Sequence, residues 1–166
     1  TLLPRESGSK EIDASLLSII GFPSYAVEDP KLIQQTRHDI VDKLEGRYGC
    51  KRFLRDGHQT VVEDKARLHY EEGELQEFEN IESEWPLFFT YQLLDGLMRH
   101  DEAYAEKYRR ALEPLFVERE GIRLLPELYF VPEENLVAER TSPGSQIRQH
   151  NENVPLVWAQ SLYYLS

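Results

Sequence analysis

From Trp85 to Leu97 the chain reads Trp-Pro-Leu-Phe-Phe-Thr-Tyr-Gln-Leu-Leu-Asp-Gly-Leu, apolar on almost every side of a helical period. A helix of this composition has no face to offer water and must be enclosed by other elements. The fold therefore needs a second layer around it. Asp101 caps the next helix, where Tyr104, Tyr108, Ala111, Leu112 and Leu115 form one stripe among charged neighbours. Such an amphipathic helix lies outside.

The other segments fit the same plan. Asp13 to Ile20 is a short apolar helix or buried segment stopped by Gly21 and Pro23. Asp29-Pro30 is a helix start, with Asp as cap and Pro in the first turn. Leu32, Ile33, Thr36, Ile40, Val41 and Leu44 follow at helical spacing until Gly46. Gly121 to Pro132 reads as a short apolar loop carrying Glu127, and Ala138 to Asn153 as an exposed polar loop around the Pro143-Gly144 turn. Asn153 is placed to cap a last helix from Val154, again largely apolar. No period-two alternation is sustained. The expectation is an all-α fold with inner and outer helices, the inner ones starting near Trp85 and Val154.

The region from Arg47 to Glu84 is too long for a passive connection. It contains an arginine-rich loop, Gly46-Arg-Tyr-Gly-Cys-Lys-Arg-Phe-Leu-Arg-Asp-Gly57, and an acidic run from Glu71 to Glu84 without a basic residue. Carboxylates and guanidinium groups thus meet a Trp at the entrance of a buried helix. Polar groups beside an aromatic platform suit a sugar, and they equally suit a plain helix start with a salt-bridged loop.

A net charge of −11 argues against nucleic acid or an anionic membrane as the main partner. Cys50 is the single cysteine, so no intrachain disulfide forms, which favours a reducing compartment. No apolar run is long enough to span a bilayer. His58 and His69 lack partners at ligand spacing, so no metal and no cofactor is expected. The chain starts at Thr1 without Met and stops at Ser166 inside an apolar run, which reads as a fragment of a longer protein.

Several long motifs resemble the regulatory α and β subunits of phosphorylase kinase: Leu3-Pro-Arg-Glu-Ser, Asp13-Ala, Phe22-Pro, Ala26-Val-Glu-Asp29, Gly46 to Gly57, Glu79-Asn-Ile-Glu, Glu84-Trp-Pro, Pro126-Glu-Leu-Tyr129, Val131-Pro132 and Trp158-Ala-Gln-Ser-Leu-Tyr163. Leu68-His-Tyr70 and Pro126-Glu-Leu-Tyr129 lean towards α, Ser142-Pro-Gly-Ser-Gln146 towards β. The resemblance implies a non-catalytic regulatory subunit that holds and restrains the catalytic subunit in the control of glycogen breakdown. Its partners would be the catalytic and other regulatory subunits and calmodulin, through sites outside these residues. It implies a cytoplasmic protein, held in some members at the inner face of the cell membrane by a prenyl group outside these residues.

The amino-terminal part of these subunits is similar to glucoamylases (glycoside hydrolase family 15). The resemblance therefore implies that residues 1–166 are a fragment of one glucoamylase-like domain, the carboxy-terminal half of an (α/α)6 barrel with long irregular loops at one mouth. Arg52 and Asp56 would stand where glucoamylases place a sugar-binding Arg and Asp. Glu84-Trp85-Pro86 falls near an Asn-Pro-Trp position, with Trp and Pro exchanged and a longer loop before it. Glu127-Leu-Tyr129, ahead of the last inner helix, matches the general base, while the general acid would lie upstream. Arg52 and Arg55 can donate to sugar hydroxyls, Asp56 can accept, and Trp85 and Trp158 can stack on a sugar face. Their alternatives are neutralisation of the acidic run for the arginines and core packing for the tryptophans. For Glu127 the alternative is a cap or a pair with Arg123. Arg52, Asp56, Glu82, Trp85 and Glu127 are expected to converge on one mouth of the barrel. The alternative functions are a hydrolase of α-linked glucose or an inactive oligosaccharide sensor.

Overall fold

The structure is a computed structural model that describes residues 11–166. The Leu3-to-Ser7 part of the resemblance lies outside the described residues. Six α-helices follow in order: α1 (Leu17–Ile20), α2 (Pro30–Leu44), α3 (Pro86–Met98), α4 (Glu102–Leu112), α5 (Leu136–Thr141) and α6 (Val157–Leu165). Three of the helical starts are written locally. The Asp13 carboxylate accepts from Ser15 N ahead of a 3-10 turn at Ala14–Leu16, Asp29 accepts from Lys31 N, and Asp101 accepts from Tyr104 N.

The centre is α3. Every residue from Pro86 to Gly96 is buried. It packs chiefly on α4 and α6. Gly96 permits the close approach of α4, since a Cβ there would meet Ala105 N at 2.8 Å. The one carboxylate on α3, Asp95, is paired with Arg37 of α2 at 3.0 Å and Arg99 at 2.9 Å, so its burial leaves no bare charge. Helix α4 buries only Ala105, Tyr108 and Leu112 and turns charged residues outward, the expected contrast with α3. Helix α6 is less enclosed: Ala159, Gln160 and Leu162 are buried, but Val157, Trp158, Tyr164 and Leu165 are exposed.

The all-α expectation needs correction. Two small antiparallel sheets interrupt the helices. Strand β1 (Val117–Arg119) pairs with β2 (Ile122–Leu124), and β3 (Tyr129–Phe130) pairs with β4 (Gln149–His150). Isolated bridges extend this pairing from Glu84 to Tyr129 and from Cys50 to Trp85. Strands of two or three residues are too short to show alternation, so their pairing is decided by where the loops meet.

Two further readings change. The stretch from 138 to 153 is not a uniformly exposed loop, because it begins within α5 and buries Glu139 and Arg148. The last helix starts at Val157, and Asn153 does not cap it. The Asn153 carbonyl accepts from Glu127 N at 3.0 Å instead, and Leu156 N bonds Leu125 O, so this segment runs extended beside residues 125–127. Cys50 is buried, and burial pushes its thiol well above the usual range.

Candidate functional site

A cavity of about 430 Å³ opens between the start of α3, the Arg52–Phe53 loop, the Asp13–Ser18 segment and α6. Trp85, Phe88 and Tyr91 supply its floor, Trp158 one wall, and Arg52 and Glu127 its polar rim. The position of Trp85 follows from local backbone chemistry. As the residue before Pro86 it is extended, and it pairs with Cys50 just before the helix begins.

Arg52 is held by Asp56 through two bonds, Nε to Oδ2 at 2.6 Å and Nη2 to Oδ1 at 2.8 Å. Its guanidinium lies over the Trp85 ring, 5.1 Å from the centroid. The His58 ring stacks against the same indole, with centroids 6.0 Å apart. Trp85 Nε1 is buried and has no hydrogen-bond partner among the described residues. Trp158 is 54% exposed, and its indole donates to the Tyr91 hydroxyl at 3.1 Å. Burial pushes the Tyr91 phenol up, against the pull of that bond.

Glu127 borders both this cavity and a second, more polar groove of about 960 Å³, which His58, Gln59, Glu63, Lys65 and residues 149–153 also line. Its Oε2 accepts from Gln59 Nε2 at 3.0 Å and from Asn151 Nδ2 at 2.6 Å. Arg123 is not its partner, for it pairs with Glu113 at 2.8 Å.

The remaining predicted residues do not line the cavity. Asp56 is buried behind Arg52. Glu82 is buried too. It accepts from Arg55 N at 2.8 Å and pairs with Lys51 at 2.8 Å. The Arg55 side chain reaches Glu79 at 3.1 Å, and Arg67 reaches Glu74 at 2.8 Å, so each of these arginines pairs with one carboxylate of the acidic run. That pairing holds the Glu74 carboxyl down at about 2.

Three groups escaped sequence reasoning. Gln59 and Asn151 carry the amides on Glu127, and Arg148 binds Glu84 at 3.0 Å and Glu139 at 3.1 Å. Nothing in local spacing marks them: Gln59 and Asn151 are 92 positions apart.

Chemically, the cavity joins aromatic surface, a fixed guanidinium and a carboxylate, which suits a polyol with an apolar face. Inverting hydrolysis needs two carboxyl groups roughly 6.5–9.5 Å apart with water between them. Among the described residues the carboxylates bordering the cavity are Glu127 and Asp13, and Asp13 is engaged as a cap to Ser15 N at 2.8 Å. Among the described residues no group of three or more His, Cys, Asp or Glu can hold a metal, and no helix is long and apolar enough to cross a membrane.

Residues 13–166 match the family model described as glycosyl hydrolases family 15. The chain belongs to this family. Within it, the similar curated proteins carry a regulatory name. The probable phosphorylase b kinase regulatory subunit alpha of Caenorhabditis elegans is 51% identical over 99% of the chain. The skeletal muscle isoform of the alpha subunit from Rattus norvegicus is 52% identical over 99%. The probable alpha subunit of Drosophila melanogaster is 49% identical over 99%. The chain spans only 14%, 13% and 13% of the length of these three relatives. In this family 15 chain, then, a glycosidase framework occurs with relatives named as regulators of a kinase.

Proposed function

We propose that this chain is part of an alpha-type regulatory subunit of phosphorylase kinase, restraining and scaffolding the catalytic subunit in the control of glycogen breakdown. The observation that carries the reading is about 50% identity to alpha subunits over nearly the whole chain. Residues 1–166 are read as one piece of a single glucoamylase-like domain, the carboxy-terminal half of an (α/α)6 barrel. The exposed apolar face of α6 supports that reading, because an inner helix needs further cover. The subunit works in the cytoplasm with the catalytic subunit, other regulatory subunits and calmodulin. Contacts with calmodulin and any prenyl anchor lie outside this chain.

The cavity favours a second role within the same protein: binding of an α-linked oligosaccharide without turnover. Trp158 offers an exposed ring, Trp85 under Arg52 the apolar base, Arg52 with Asp56 the polar edge, and Glu127 an acceptor. Arg55 and Glu82 support the loop from behind.

The experiment is reconstitution of the full-length protein with the catalytic subunit and calmodulin of phosphorylase kinase. The reading expects one stable assembly on size exclusion, in which phosphorylation of phosphorylase b is low and rises with calcium. A catalytic subunit that elutes alone and keeps full activity in the presence of the protein would overturn it.

A further inference from the structure

Glu127 sits in the short stretch between β2 and β3, outside any helix that would fix its side chain. Its backbone N–H donates to Asn153 O, which leaves the side chain to be placed by other groups. A Glu side chain on such a segment, at the border of two open cavities, has rotamer freedom to lose before it can meet a ligand in one place. Two amides from distant segments remove that freedom. We propose that Gln59 and Asn151 are positioning residues for Glu127, holding its carboxylate at the rim of the cavity so that it meets a bound oligosaccharide. The proposal rests on reading that cavity as an oligosaccharide site.

The polarity of the network is forced. A carboxylate oxygen only accepts, so both amide atoms facing it must be nitrogen. Asn151 Nδ2 donates to Glu127 and also to Gln59 Oε1 at 2.9 Å. Gln59 Nε2 donates to Glu127 and lies 3.3 Å from His58 Nε2, which accepts when it carries no proton. Turning either amide over would set oxygen against the carboxylate. Both donors meet Oε2, and Oε1 takes part in neither bond.

Each amide is itself anchored. Gln59 holds a left-handed backbone at φ 56°, with its N–H donated to Glu63 at 2.8 Å. A non-glycine residue adopts that region only against steric strain, and such residues cluster at functional sites. Asn151 N bonds Leu128 O at 3.1 Å, next to Glu127 in sequence.

The test is a double-mutant cycle in the full-length protein, with maltoheptaose binding read by calorimetry and folding by thermal melting. Glu127→Ala is expected to weaken binding about tenfold, and Gln59→Ala and Asn151→Ala about three- to tenfold each. In the Glu127→Ala background the two amide changes should add nothing, because they act through a group no longer present. Lys65→Ala, which borders the polar groove, should leave affinity unchanged. Should Asn151→Ala fail to fold, Asn151→Asp keeps the shape, sets a second carboxylate against Glu127, and should weaken binding at least as much. No binding by the unaltered protein, or binding indifferent to Glu127→Ala, would sink the oligosaccharide reading and this proposal with it. Sensitivity to Glu127→Ala without sensitivity at Gln59 and Asn151 would sink the proposal alone. So would amide effects that persist undiminished in the Glu127→Ala background.

Discussion

The guanidinium of Arg148 lies 3.0 Å from the carboxylate of Glu84, and both side chains are almost completely buried. The same Nη2 reaches Glu139 at 3.1 Å, Nη1 donates to the Glu82 carbonyl, and Glu84 also accepts from Tyr48 N at 2.7 Å. Glu139 in turn accepts from Gly144 N and Gln146 N, both at 2.9 Å. One cation thus ties the residues before α3, the loop after α2 and the segment after α5 into one block.

Arg148→Met should therefore be severe, about 3–5 kcal/mol near neutral pH, because it leaves buried carboxylates without their cation. Burial already raises the Glu84 carboxyl above its usual range, with Arg148 opposing the rise. Removing Arg148 raises it further. A carboxyl raised in the folded state loses stability as pH climbs from its unfolded value through its folded one. The damage should thus be smallest below the ordinary Glu value, where Glu84 is protonated in both states, and grow as pH rises. Guanidinium unfolding of variant and parent across pH 4 to 8, on the order of the range set by those values, checks both size and sign. A loss independent of pH would contradict it.

Gly49 has φ 140°, and a Cβ there would overlap the Trp85 carbonyl carbon and oxygen. Those are backbone atoms bridged to Cys50, so they cannot swing aside. Gly49→Ala is expected to destabilise by about 2–4 kcal/mol. Gly73→Ala is the control, since a Cβ there meets nothing within 4 Å. Its αR backbone accepts alanine, so the change should be neutral or stabilising by up to about 1 kcal/mol. Equal melting temperatures for the two variants would contradict the packing described.

The two tryptophans of the cavity should separate binding from stability. Trp85 is 7% exposed, and Trp85→Ala should cost about 3–5 kcal/mol of stability. Trp158 is half-exposed, and Trp158→Ala should change stability by about 1 kcal/mol or less. It should nevertheless weaken maltooligosaccharide binding about tenfold, ~1.4 kcal/mol. Calorimetry alongside thermal melting decides, and an unchanged affinity in Trp158→Ala would remove it from the site.

Hydrolysis by the full-length protein is expected to be weak or absent. Glu84-Trp85-Pro86 departs from the Asn-Pro-Trp pattern of glucoamylases, and the loop before it is longer. Positioning errors of about 1 Å reduce rates roughly a hundredfold. Glucose release from maltooligosaccharides is the measurement, with Glu127→Gln as the comparison. Vigorous release that disappears in the variant would promote the protein to a working hydrolase.

What was legible in the chain was local. The caps at Asp29 and Asp101 act within three residues, so the sequence displays them directly. The enclosure of α3 followed from apolarity on every side, and the outer position of α4 from its single stripe. Helix α6 is as apolar in sequence, yet only Ala159, Gln160 and Leu162 are buried, because burial depends on what packs against a helix as well as on its own residues.

The partners of the site residues belonged to the tertiary structure. Arg148 and Glu82 are 66 positions apart, and Gln59 and Glu127 are 68 apart. A polar pair of this kind has no period and no propensity. It exists where the Cys50–Trp85 and Glu84–Tyr129 bridges set their loops side by side. For the same reason the exposed-looking segment after α5 turned inward at Glu139 and Arg148. Local hydrogen bonding and apolar periodicity determined the helices from sequence alone. Which carboxylate meets which guanidinium or amide was decided by chain reversal, since desolvated charges must find partners wherever the fold has placed them.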